Sequence, residues 1–231
     1  MSSIKKFFET NVLTRGIYAR LYKIKHKKEK QAKRETLQTN GEKTISYLQT
    51  VFEKTGKTFF FDMGTLLGII REGKLLSHDM DIDVGVLIDG EEDIEKIVKV
   101  LEENGCKRKY RYTVDGVGVA EDSFEYNDIK FDASYYYTDG GSNLVYLGYL
   151  FPGRIYESPE ILSFVRLRTK KIEGVKKVEF ARALINVPQN PEEYLAQRYG
   201  EKWRIPDKGF IYWKGPSAEK IDNLGRKIEI N

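Results

Sequence analysis

The apolar positions of this chain change period several times, and each change marks an element. Between Glu42 and Thr55, Ile45, Leu48, Val51 and Phe52 recur every three or four residues, which predicts a helix, and Gly56 suits the left-handed position that ends it. The run Thr58-Phe59-Phe60-Phe61 reads as a buried strand, broken at Gly64. A short helix through Leu66, Leu67, Ile69 and Ile70 follows and stops near Gly73. Residues Ile82 to Ile88 form a second strand. Glu91 to Asn104 form a helix with Ile94, Ile97, Val98 and Leu101 on one face and Gly105 as its stop.

Downstream the period falls to two. Tyr110–Val119, Ser123–Tyr126 and Ile129–Tyr137 read as strands, the last with Ile129, Phe131 and Ala133 on one face and Lys130, Asp132 and Ser134 on the other. Val145–Leu150 and Lys171–Leu184 supply further strand material. Asn190-Pro191-Glu192-Glu193 is a helix start: Asn caps, Pro fits the first helical position, and Glu193 completes a capping box. That helix carries Tyr194, Leu195, Arg198 and Tyr199 and closes at Gly200, while the aromatic and polar stretch past Pro206 is assigned to no element. The expected fold is α+β, a small mixed sheet with flanking helices.

Composition narrows the class. The chain has 231 residues, 40% apolar and 32% charged, as in an ordinary globular protein. One cysteine, Cys106, excludes an internal disulfide framework and a Cys-rich zinc site. No apolar run approaches the ~20 residues that cross a bilayer, and no apolar block marks the N-terminus for secretion, so a cytoplasmic protein is expected.

Charge divides the chain. Residues 1–35 carry net +8 and the rest net −4, within an overall +4. The surplus therefore belongs to an extension, expected to span residues 1–40 ahead of a domain at 41–231, and does not imply nucleic acid as a partner. In the extension, Phe8, Leu13, Ile17, Leu21 and Ile24 interleave with Arg20, Lys23, Lys27 and Lys28. Two readings stand: a cationic helix on an anionic membrane surface, peripheral at the inner face, or a solvated helix packed on the domain.

The chemistry concentrates in Gly64-Thr65-Leu66-Leu67-Gly68, Arg71 and His78-Asp79-Met80-Asp81-Ile82-Asp83. Asp79, Asp81 and Asp83 share a face if all three are extended, and like charges so placed repel unless a cation neutralises them. Carboxylate oxygens without a Cys or His cluster suit Mg²⁺ or Mn²⁺. A calcium loop counted from Asp79 needs Gly at its sixth position and Glu at its twelfth, where the chain has Val84 and Gly90. The Gly64-Thr65 turn offers N–H groups and a hydroxyl to phosphate, so the pattern is that of phosphoryl transfer.

Phe61-Asp62-Met63-Gly64-Thr65-Leu66-Leu67-Gly68-Ile69-Ile70-Arg71, followed by Asp79-Met80-Asp81-Ile82-Asp83-Val84-Gly85-Val86, resembles the LicD family, which includes bacterial phosphocholine transferases and the animal fukutins. Pro191, Tyr194-Leu195, Arg198-Tyr199-Gly200, Trp203 and Pro206 resemble that family's closing motif. The resemblance implies a nucleotidyltransferase-like fold. It also implies transfer of phosphocholine or a polyol phosphate from a CDP-linked donor to a hydroxyl of a cell-surface glycan or lipid-linked oligosaccharide, releasing CMP. The family's Trp-Asp-Asp-Asp-Ile-Asp reads His78-Asp79-Met80-Asp81-Ile82-Asp83 here.

On that footing Asp81, Asp83 and Asp132 are the expected catalytic carboxylates and metal ligands, with Asp79 as a ligand or neighbour and Asp128 as Asp132's rival. Asp132 could also accept the proton of the attacking hydroxyl. Gly64, Thr65, Arg71 and Arg198 are the expected donor-phosphate contacts. Tyr135-Tyr136-Tyr137 offers either a stacking surface or sheet packing. Two other functions compete: a nucleotidyltransferase that releases pyrophosphate, and a non-catalytic scaffold that binds membrane or polyanions through residues 1–35.

Overall fold

The computed structural model describes residues 12–149 and 160–230, with side chains described from residue 27 onward. The apolar and cationic positions from Phe8 to Ile24, on which the membrane-surface reading rests, have side chains outside this range. Among the described residues, no helix is long and apolar enough to cross a membrane.

The described residues open with one long helix, α1 (Val12–Glu53). It continues through Asn40-Gly41, where the sequence reading separates a basic segment from the domain. Gly41 sits within it, and a Cβ there would lie 2.5 Å from Leu75 Cδ1, so glycine lets the helix approach Leu75 closely. From Leu37 onward α1 buries Ile45, Leu48, Val51 and Phe52. Strand β1 (Phe59–Phe61), helix α2 (Met63–Glu72), strand β2 (Asp81–Leu87) and helix α3 (Glu91–Glu103) follow the expected order, and Gly73 ends α2 in the left-handed region.

Next come β3 (Lys107–Val114), β4 (Gly118–Tyr126), β5 (Ile129–Asp139), β6 (Ser142–Tyr149) and β7 (Ile161–Lys170). The expected single strand Tyr110–Val119 is instead two strands of a hairpin, because Asp115-Gly116 turns the chain with Gly116 at φ 74°. The expected Lys171–Leu184 strand is likewise a two-stranded ribbon, β8 (Val175–Phe180) and β9 (Ala183–Pro188), turning at Ala181-Arg182. Helix α4 (Pro191–Tyr199) starts with Pro191 as expected, but the capping box is not formed: Asn190 makes no side-chain cap bond, and Glu193 pairs with Lys170 at 2.6 Å. The unassigned tail holds a 3₁₀ turn at Tyr212–Lys214 and a long strand, β10 (Ala218–Glu229).

Eight strands form one mixed sheet in the order β1-β2-β5-β4-β3-β10-β7-β6, and β6 pairs back onto the end of β5. The strands from β5 round to β6 therefore close into a ring, with β1 and β2 attached beside the first half of β5. Only β2–β5 is parallel. Its register sets Asp83 opposite Asp132 and Asp81 opposite Lys130.

The triple Phe59-Phe60-Phe61 shows how two cores share this sheet. Phe59 and Phe61 pack with α1 and α3 on one face, while Phe60 points to the other, among Leu66, Leu67, Tyr194, Leu195 and Trp203 of α2, α4 and the segment after it. A third cluster, including Leu144, Tyr146, Leu162 and Phe164, belongs to the ring. Tyr135 and Tyr136 are fully buried, so of their two expected roles sheet packing is the one observed.

Candidate active site

An open cleft of about 1430 Å³ lies between α2, the ends of β2 and β5, the ring and the segment after α4. Asp79, Asp81, Asp83 and Asp132 all line it, as do Gly64 and Arg71. The juxtaposition of Asp83 and Asp132 follows from the parallel register, since side chains opposite each other on adjacent strands project from the same face. Asp79 precedes β2, in a turn where its N–H bonds the Leu76 carbonyl at 3.1 Å, and still reaches the cleft.

Two expected phosphate contacts lie elsewhere. Thr65 is fully buried and does not line the cleft; its Oγ1 accepts the Asp83 N–H at 2.9 Å, so its hydroxyl fixes the start of β2. Arg198 is buried beneath the first turn of α2, where it donates to Met63 Sδ, and it too stays off the cleft wall. Arg71 fits its expectation better. Its side chain is 11% exposed, pairs with Glu72 at 2.8 Å, bonds the Trp203 carbonyl at 3.3 Å, and leaves Nε buried without a partner.

The first turn of α2 is held from behind. Asp62, fully buried, caps the helix by accepting the Met63 N–H at 2.7 Å. It also accepts the Tyr136 hydroxyl at 2.5 Å and the Tyr194 hydroxyl at 2.8 Å. Gly64, next along, leaves room for Asp79: a Cβ there would sit 2.9 Å from Asp79 Oδ2.

Sequence reasoning gave no role to two charged groups here. Glu121, on β4 across from Ser134, lines the cleft and accepts the Ser134 hydroxyl at 3.2 Å. Nothing in Val119-Ala120-Glu121-Asp122 singles it out; only the placement of β4 beside β5 does. Lys130 shares Asp132's face, which alternation shows, and its Nζ lies 2.5 Å from Asp132 Oδ2 and 3.2 Å from Asp81 Oδ2.

Crowded, partly buried carboxylates in this cleft resist ionisation. Burial, followed by the charges of Asp81 and Asp132, holds the Asp83 carboxyl well above the usual range. Burial pushes Asp79 up to about 6, and burial with Asp132 beside it pushes Glu121 up to about 8. Burial opposes the Lys130 charge, but Asp132, Asp81 and Glu121 outweigh it and hold the ammonium on.

Among the described residues, no three carboxylate, imidazole or thiol groups stand ready-made as a metal cage. The donor chemistry nevertheless fits a hard divalent cation. All the candidate ligands are carboxylate oxygens, and Asp132 Oδ1 and Asp79 Oδ2 are buried without hydrogen-bond partners. Such a cation would be held by Asp81, Asp83 and Asp132, with Asp79 beside them.

These elements define an α+β domain of nucleotidyltransferase type. The chain belongs to the family described as LicD/FKTN/FKRP, nucleotidyltransferase domain, which residues 56–190 match. Similar curated proteins are the ribitol-5-phosphate transferase FKTN of Homo sapiens, 25% identical over 177 residues, and that of Mus musculus, 27% identical over 175. These alignments cover 71% and 70% of this chain but only 33% and 32% of the relatives, so the chain spans about a third of their length. Among solved structures, the Megavirus polyadenylate synthase aligns over 80% of this chain and 33% of its own, with a TM-score of 0.33 and 14% identity, a level that says nothing about function.

Proposed function

We propose that this domain transfers a phospho-alcohol from a CDP-linked donor to a hydroxyl of a glycan or lipid-linked oligosaccharide, releasing CMP. The observation that carries the reading is Asp83 facing Asp132 across the parallel β2–β5 pair, beside a glycine at the first turn of α2. The relatives' name, ribitol-5-phosphate transferase, makes ribitol phosphate the first group to try.

In this reading the α2 turn at Gly64 and the Arg71 guanidinium bind donor phosphate oxygens, Arg71 through its unpartnered Nε. Mg²⁺ or Mn²⁺, when bound, would supply charge stabilisation at the transferring phosphorus. Asp81, Asp83 and Asp132 would hold that ion. Asp132 Oδ1, buried without a partner, also takes the proton of the attacking hydroxyl.

The test supplies CDP-ribitol, CDP-glycerol, CDP-choline or a nucleoside triphosphate with Mg²⁺ and identifies the leaving group. CMP from a CDP-alcohol supports the proposal, and Asp81→Asn or Asp83→Asn should then lower its release at least ~100-fold. Pyrophosphate from a triphosphate, with no CMP from any CDP donor, makes the domain a nucleotidyltransferase instead. No turnover of either kind leaves the scaffold reading.

A further inference from the structure

We infer that Lys130 is an exchangeable counter-ion, whose ammonium occupies the space between Asp81 and Asp132 and must withdraw when a divalent cation binds those carboxylates. This rests on the metal site in the proposed function and adds a competitor built into the chain. The parallel register sets Lys130 directly opposite Asp81 and two residues before Asp132 on one face of β5. Its Nζ reaches one oxygen of each, 3.2 Å from Asp81 Oδ2 and 2.5 Å from Asp132 Oδ2.

A magnesium ion binds carboxylate oxygens at about 2.0–2.1 Å. An ion bridging Asp81 and Asp132 would therefore claim the position that the ammonium holds. Two cations so close repel strongly in a partly buried site. Withdrawal is feasible because the head group sits on a flexible four-carbon stem and the side chain is 34% exposed.

The arrangement has a use. Without metal, Asp81 and Asp132 face one cleft from adjacent strands, and their like charges would push the strand ends apart. Lys130 supplies the charge that keeps β2 and β5 in register until the metal replaces it. The consequence is a site that stays assembled when empty and binds metal more weakly than its carboxylates alone would. The rival arrangement is cooperative: Lys130 keeps Asp132 Oδ2 while the metal takes the unpartnered Oδ1.

The two arrangements predict opposite signs. Mn²⁺ is titrated into metal-stripped protein comprising residues 1–231, free Mn²⁺ is read by electron paramagnetic resonance, and no donor or acceptor is present. Lys130→Gln should bind Mn²⁺ about tenfold more tightly than the natural chain. Lys130→Arg, which keeps the charge, should stay within about threefold. A second measurement needs no variant: Mn²⁺ should raise acetylation of the Lys130 amine by acetic anhydride several-fold, read by peptide mass spectrometry. Unchanged or weaker Mn²⁺ binding by Lys130→Gln overturns the inference. So does tightening by Lys130→Arg equal to that by Gln, Mn²⁺ binding by neither protein, or acetylation that does not rise. Failure of the proposed function would show separately, as no CMP from any CDP-alcohol.

Discussion

The Tyr194 hydroxyl, on α4, donates to Asp62 Oδ1 at 2.8 Å, joining the cap of α2 to a residue 132 positions later. Because Tyr136 donates to the other oxygen of the same carboxylate, α2, α4 and β5 meet at one buried charge. Arg198 is buried close by and bonds Met63, the residue after Asp62. Tyr194→Phe should therefore cost about 1–2 kcal/mol of stability in urea denaturation. Asp62→Ala should cost more, about 3–5 kcal/mol, because it removes the cap of α2 and leaves one of two adjacent buried hydroxyls without an acceptor. Equal costs for the two variants would show that Asp62 is no hub.

Two glycines of α2 separate function from stability. Gly64→Ala sets a methyl 2.9 Å from Asp79 Oδ2, the end of a side chain that can move. It should lower turnover about tenfold by displacing Asp79 while leaving the melting temperature nearly unchanged. Gly68→Ala sets its methyl 2.6 Å from the Lys74 carbonyl oxygen and 3.0 Å from the Leu76 nitrogen, where backbone cannot yield. That variant should lose about 1–3 kcal/mol in denaturant.

Thr65 is a test of positioning against ligand contact. Thr65→Val removes the acceptor of the Asp83 N–H and should destabilise the protein by about 1–3 kcal/mol, whereas Thr65→Ser should lose less than half of that. If instead both variants fold as well as the natural chain and only donor KM changes for Val, the hydroxyl contacts phosphate after all.

Glu121 gives a signed dependence on pH. Its carboxyl, ordinarily at 4.5, is pushed up to about 8 by burial and then by the Asp132 charge. Between those values the folded protein holds a proton that the unfolded chain has released. Stability in EDTA therefore declines as pH rises from about 4.5 to about 8 and levels off above. Glu121→Gln cannot ionise, so its urea midpoint should fall less over that interval and exceed the natural chain's at pH 8. Parallel curves would show that Glu121 ionises normally.

Much of this site was legible because alternation makes strong statements about strands. Ile82, Val84 and Val86 had to be inside, which put Asp81 and Asp83 outside; Ile129, Phe131 and Ala133 did the same for Asp132. What alternation cannot convey is which strand lies beside which, and so Glu121 went unnoticed. The change in charge near residue 40 suggests a boundary there, whereas helix α1 runs through it with Gly41 packed beside Leu75. Thr65 and Arg198 carry groups suited to phosphate, and both turned out to bond within the protein. Composition does not distinguish those uses. Strand β10 was missed because most of its residues are polar and exposed, and its pairing on both edges comes from partners distant in sequence.

That strand has a bearing on synthesis. β10 lies between β3 and β7, bonded to both, so residues 218–229 complete the ring. A nascent chain that has just emitted Trp203 already owns every candidate catalytic group yet leaves two long strands with naked edges, and such edges invite sticking to neighbours. Ribosomes add roughly 5–20 residues each second, so the vulnerable interval ends within a few seconds, when Glu229 arrives and the last seam zips shut.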